Sequence, residues 1–261
     1  MPLAPSRRWC HALLVATVAG SQSPVAAQLT VEYLANEGVL LTAGPTAVLI
    51  DGLFGSGLTD YPAVPVPVRD SLEGGVGRFG EIDLVLVTHP HADHFDPRAV
   101  ARHLRANPRA HVAAAPAILA ALRAAGWNDP SRETTLLPSP DTLRRTEAAG
   151  VPLEALGIPH AGIDHLAWIV SLGGVRILHL GDADPSPAEL RRAAGTGVDL
   201  LLTPFWVAVG SRGPERIAAT RARQVAAFHV GHTDDISGLP AGIRVLRRPG
   251  ETFTVERAGG P

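Results

Sequence analysis

The segment Thr88-His89-Pro90-His91-Ala92-Asp93-His94-Phe95-Asp96 constrains the fold of this chain more than any other stretch. It places three imidazoles and a carboxylate in the pattern H-x-H-x-D-H. Imidazole nitrogen and carboxylate oxygen are the donors that zinc and its first-row neighbours accept. Crowding four such groups together without a cation has no physical purpose. The run before the cluster, residues 83–88, is apolar and rich in β-branched side chains, and reads as a buried strand. After it, Asp96 and Pro97 make a good N-cap and first helical position. Ala99, Val100, His103 and Leu104 then recur at helical spacing. The cluster is therefore predicted on a tight loop between a strand and a helix, where rigid elements at both ends fix the side chains.

Composition narrows the chemistry. The chain has 261 residues, 46% hydrophobic and 18% charged, enough for one large core or two small ones. Every basic residue is Arg, which excludes a P-loop lysine, a Schiff-base lysine and a Ser-Lys pair. The formal net charge is −2 and there is no basic run, so no nucleic-acid partner is expected. The first 27 residues read as a signal peptide: Arg7 and Arg8, an apolar stretch over 12–20, then Val25-Ala26-Ala27 before the cut. The apolar part is too short to span a bilayer. A secreted or periplasmic protein is expected, with residues 28–261 as one domain and no membrane association after cleavage. The single cysteine, Cys10, lies in this leader. The mature chain would then have no disulfide, and no Cys ligand or nucleophile.

Along the chain, residues 29–51 read as three strands joined by short turns. Residues 52–80 are rich in Gly and Pro and read as a long loop, either a flap beside the site or a surface excursion. From residue 83 strands and helices alternate, with helices expected at 97–106, from Pro116 to about Ala125, from Pro187 with Ser186 as its cap, and near 214–222. Strands outnumber helices, which predicts stacked sheets with helices outside, an α/β or α+β unit. Three apolar runs each end in a ligand-type residue: Leu156 to Pro159 lead into His160, Arg176 to Gly181 into Asp182, and Val225 to Phe228 into His229. His232, three residues on, rivals His229.

This order, H-x-H-x-D-H, then His, then Gly-Asp, then His, resembles the metallo-β-lactamase superfamily. Asn36-Glu37-Gly38-Val39-Leu40-Leu41 and Val48-Leu49-Ile50-Asp51-Gly52 are similar to that family's opening hairpin and its strand ending in Asp. The resemblance runs from about residue 29 to 256. It implies an α+β fold of αββα type, two packed mixed β-sheets with helices on both outer faces and the site in a cleft at one edge. It implies that His89, His91 and His160 hold one metal, that Asp93, His94 and His229 hold a second, and that Asp182 bridges them. Asp51 would support the ligand loop. Two zinc ions are implied, with manganese or iron admissible at such a site.

The implied activity is hydrolysis of an ester, lactone, thioester, amide or phosphodiester bond in a small substrate. A hydroxide held between the metals would attack, and Asp93 would orient it or relay its proton. A metal-binding or sensor protein without turnover is the alternative. The absence of Cys from the ligand set departs from lactamases that use it, and His91 in place of Glu departs from the di-iron oxygen-reducing branch. The length resembles stand-alone members similar to sugar-phosphate lactonases. Asp51 and Asp184 are candidate outer acceptors for ligand imidazoles. His165 faces either substrate or solvent, and Trp206 lines either the cleft or the core.

Overall fold

The computed structural model describes residues 28–55 and 60–257, so the leader read over residues 1–27 lies outside the described residues. The N-terminal half forms β1 (Leu29–Ala35), β2 (Gly38–Ala43), β3 (Thr46–Ile50), β4 (Leu84–Leu86), β5 (His111–Ala114) and β6 (Glu133–Thr135). The C-terminal half forms β7 (Arg144–Ala148), β8 (Val151–Gly157), β9 (Leu166–Leu172), β10 (Val175–His179), β11 (Leu200–Pro204), β12 (Gln224–Phe228), β13 (Arg244–Val245) and β14 (Thr252–Val255). One sheet has the order β14-β1-β2-β3-β4-β5-β6 and the other β13-β12-β11-β10-β9-β8-β7. Both are mixed. From β14 to β3 and from β7 to β10 the pairing is antiparallel; beyond β3 and beyond β10 it is parallel. The two halves thus repeat one pairing scheme, which no fixed period in the sequence betrays. Asp51 and Asp182 follow the equivalent central strands β3 and β10.

Period-two burial explains the layering. Val48, Ile50, Leu84 and Leu86 face the space between the sheets, while Ala47, Leu49, Val85 and Val87 face outward into a second core. In the other sheet Ile177, Leu200 and Leu202 point inward, and Leu178 and Leu201 outward. A strand apolar on both faces needs cover on both. On the first sheet α1 (Val66–Glu73), α2 (Pro97–Ala106) and α3 (Pro116–Ala124) supply it; on the second α4 (Pro187–Ala194), α5 (Phe205–Ala208) and α6 (Gly213–Thr220) do. The fold is the expected αββα sandwich. No helix among the described residues is long and apolar enough to cross a membrane.

The helix starts follow their caps. The Asp96 carboxylate accepts from Arg98 N–H at 2.8 Å and Ala99 N–H at 3.3 Å. Ser186 and Glu189 form a reciprocal capping box at α4. Several elements depart from the sequence reading, the short helix α5 among them. Residues 52–80 are not all loop, because α1 lies within them and a 3-10 turn (Gly77–Glu81) begins there. Pro67 sits in the first turn of α1, where its missing N–H costs nothing, and Leu72 is the one buried side chain of that helix, so no apolar period marks it. β7 escapes notice because Arg144, Arg145 and Glu147 are exposed at a sheet edge.

His103 ties α2 to α1. It is fully buried, and its Nδ1–H donates to the Leu72 carbonyl at 2.6 Å. Burial holds its pKa below the ordinary histidine range, with the carbonyl pulling the other way. The unfolded chain therefore takes up the proton first, and this contribution to stability is present above about pH 6.5 and is lost as pH falls below it. His103→Ala is expected to cost about 2–4 kcal/mol in denaturant unfolding at neutral pH and to flatten the acid slope. An unchanged midpoint would show that the contact contributes nothing.

Candidate metal centre

The ligand-type residues all lie just past the C-terminal ends of strands on one rim of the sandwich. Asp51 follows β3 with φ 47°, the 88–94 loop follows β4, His160 follows β8, Asp182 follows β10, and His229 follows β12 with φ 54°. Asp51 anchors the loop. Its carboxylate accepts from Thr88 N–H at 2.9 Å and from Thr88 Oγ1–H at 2.5 Å, and lies 2.9 Å from His94 Nδ1. His94 therefore carries a proton on Nδ1 and turns Nε2 to the centre. Thr88 has given its hydroxyl hydrogen to Asp51, so its oxygen accepts from His89 Nδ1–H at 2.9 Å. That fixes the same tautomer in His89.

From these positions the side chains converge in two groups. His89 Nε2 lies 3.0 Å from His91 Nδ1. Asp182 Oδ2 lies 3.7 Å from His89 Nε2 and 3.6 Å from His160 Nε2. Its other oxygen, Oδ1, lies 3.1 Å from His94 Nε2 and 3.3 Å from His229 Nε2. Asp93 Oδ2 completes the second group, 3.5 Å from His94 Nε2 and 3.4 Å from His229 Nε2. The structure thus brings together all seven residues singled out in the sequence: His89, His91, Asp93, His94, His160, Asp182 and His229.

The arrangement fits divalent cations. His94 Nε2, both ring nitrogens of His229 and Asp182 Oδ1 are buried without a hydrogen-bond partner among the described residues. An unpaired buried polar atom costs about 1–3 kcal/mol, so aiming several at one point needs a ligand to satisfy them. Among the described residues the ionic partners of Asp93 and Asp182 are imidazoles, with no Arg between them. Burial raises the pKa of both carboxyls, but the imidazoles of His229 and His94 set against them outweigh it and hold them below the usual range. Burial, with His94 and His165 alongside, pushes His89 the other way, towards the neutral ring. Burial also lowers His94 and His229, but Glu37 and Asp182 beside the first, and Asp182 and Asp93 beside the second, outweigh it and push both up; a bound cation would displace those protons, since ionised carboxylate and neutral imidazole are the forms that bind metal.

Other expectations fared unevenly. Asp51 supports the ligand loop as expected. Asp184 supports none of it; it is exposed and pairs with Arg216 at 2.8 Å. His165 does not face solvent. It is buried, with its ring 5.1 Å from that of His89, and burial together with His94 and His160 pulls its pKa down to about 3. It also explains Gly181: a Cβ there would lie 2.5 Å from His165 Nε2, at a φ of 56°. Trp206 packs, partly buried, against the outer core of the second sheet and stands edge-on to His229 at 4.9 Å. His232 is exposed, and among the described residues it joins no ligand group.

Sequence reasoning assigned no role to Glu37, which is wholly buried with its Oε2 3.5 Å from His94 Nδ1, nor to Asn36, whose amide donates to Asp93 Oδ2 at 3.1 Å. It also passed over Tyr61, whose ring meets His229 edge-on at 4.4 Å from within the 52–80 segment. A polar hairpin turn is ordinarily solvated, and no local signal marks this one as buried.

Comparison with known proteins agrees with the geometry. A family model described as "Beta-lactamase superfamily domain" matches residues 46–249. No curated protein sequence matches. The metallo-beta-lactamase fold protein YhfI from Bacillus subtilis superposes with TM-score 0.62 at 15% identity, over 87% of this chain and 99% of that one. Igni18, a metallo hydrolase from the hyperthermophilic archaeon Ignicoccus hospitalis, gives 0.59 at 17% identity, over 88% and 100%. CmlA, a diiron beta-hydroxylase from Streptomyces venezuelae, gives 0.58 at 15%, over 89% of this chain and 55% of that one. At these identities the likeness is one of fold.

Proposed function

Because this chain belongs to the metallo-β-lactamase superfamily, we propose that it is a binuclear metal-dependent hydrolase acting on an ester, lactone, thioester, amide or phosphodiester bond of a small substrate. The carrying observation is Asp182, whose two oxygens face two different trios of donors. His89, His91 and His160 would hold one zinc ion, and Asp93, His94 and His229 the second, with manganese or iron able to substitute. Once bound, the ions supply a water acidic enough to attack at neutral pH and a Lewis acid for the substrate oxygen. Asp93 would orient that water and take its proton; Asn36 holds the carboxylate in place for this. Asp51 and Thr88 keep His89 and His94 in the tautomer that leaves Nε2 free. Tyr61 and Trp206 flank the His229 ring. The basic and apolar leader supports export to the periplasm or the medium, where the substrate would be met.

Stripping the protein with a chelator is expected to abolish hydrolysis of generic ester, lactone and phosphodiester substrates, and two equivalents of Zn2+ to restore it. Two bound metals with no cleavage of any of these bonds would favour a metal-binding or sensor role. Iron content with oxygen consumption would move the assignment towards the chemistry of the diiron relative.

A further inference from the structure

On the binuclear reading above, we propose that the two-residue turn joining β1 to β2, Asn36-Glu37, positions Asp93, His94 and His229 of the second ligand group and leaves the three histidines of the first to other supports. The turn reaches every member of that group. The Asn36 amide donates to Asp93 Oδ2, the oxygen facing both His94 and His229, and also to the Asp93 carbonyl at 3.4 Å. The Asn36 carbonyl accepts from His229 N–H at 3.2 Å, fixing the backbone that carries this ligand. Glu37 presses its carboxyl against His94 at 3.5 Å. The Glu37 carbonyl accepts from His179 Nε2–H at 3.1 Å, and His179 Nδ1 accepts from Gly181 N–H at 3.2 Å, next to Asp182.

Local geometry lets the turn lie this deep. Asn36 takes φ 49°, which Asn tolerates better than most residues, and a Cβ on Gly38 would come within 2.9 Å of the Asp51 carbonyl. Glu37 is wholly buried, and neither of its carboxyl oxygens has a hydrogen-bond partner among the described residues. The first group is held differently. His89 leans on Thr88 and His165, and among the described residues no hydrogen bond joins Asn36 or Glu37 to His89, His91 or His160.

The test is calorimetric titration of chelator-stripped protein with Zn2+, with bound metal counted by elemental analysis. Wild type is expected to take up two ions. Asn36→Gly deletes the amide and keeps the left-handed backbone available. It is expected to bind one ion as wild type does and the other ten- to a hundredfold more weakly, with an unchanged unfolding midpoint for the stripped protein. Asn36→Ala repeats the measurement if glycine loosens the turn. Two sites of wild-type affinity in both variants, or two sites weakened alike, would overturn the inference. A wild type that takes up fewer than two ions would instead bring down the binuclear reading itself, visible in that arm alone.

Discussion

Asp182→Ala is expected to reduce bound metal from two ions to one or none and to slow hydrolysis by about a thousandfold or more. Asp182 is the residue that both donor groups share, with Oδ2 towards His89 and His160 and Oδ1 towards His94 and His229. Alanine removes one donor from each group at once and leaves imidazoles crowded without their carboxylate. It also removes the charge that draws the two sites together, since among the described residues no other carboxylate pairs with imidazoles of both groups. Asp182→Asn keeps the volume but offers a weaker, neutral oxygen, and should fall between wild type and alanine in metal content. Elemental analysis and initial rates on one substrate suffice. Two ions and full activity in Asp182→Ala would remove the bridging role.

Asp51→Ala is expected to lower stability by about 3–5 kcal/mol and metal affinity ten- to a hundredfold. Three bonds meet on this buried carboxylate, from Thr88 N–H, Thr88 Oγ1–H and His94 Nδ1–H. Each is left unpaired by alanine, and the loop loses its tie to β3. His94 is then free to exchange tautomers, and His89 loses the hydroxyl orientation that fixes its own. Unfolding should be measured on stripped protein, so that metal linkage does not enter the comparison. A loss under about 1 kcal/mol would mean that the loop is held by its flanking elements and not by Asp51.

What could be read in advance divides along physical lines. The strand before the loop and the cap after it carry strong local signals, namely a β-branched run and an Asp-Pro start, so the placement of His89 to His94 follows from neighbours in sequence. His160, Asp182 and His229 are legible as ligand types at the ends of apolar runs; their convergence is a tertiary fact that rests on the resemblance to a family. Asp184 shows the weakness of proximity in sequence, because two residues past Asp182 its side chain has already turned out to Arg216. Glu37 shows the reverse. A Glu in a hairpin turn reads as solvated, and its burial arises only when the second sheet closes over the rim. α1 is invisible for a related reason, since a helix that buries one leucine has no stripe to detect.

Anomalous diffraction from crystals of the zinc-loaded protein tests the central claim most directly. Two peaks are expected, one among His89, His91, His160 and Asp182 Oδ2, the other among Asp93, His94, His229 and Asp182 Oδ1. A single peak at full zinc occupancy, or two peaks lying away from Asp182, would contradict it.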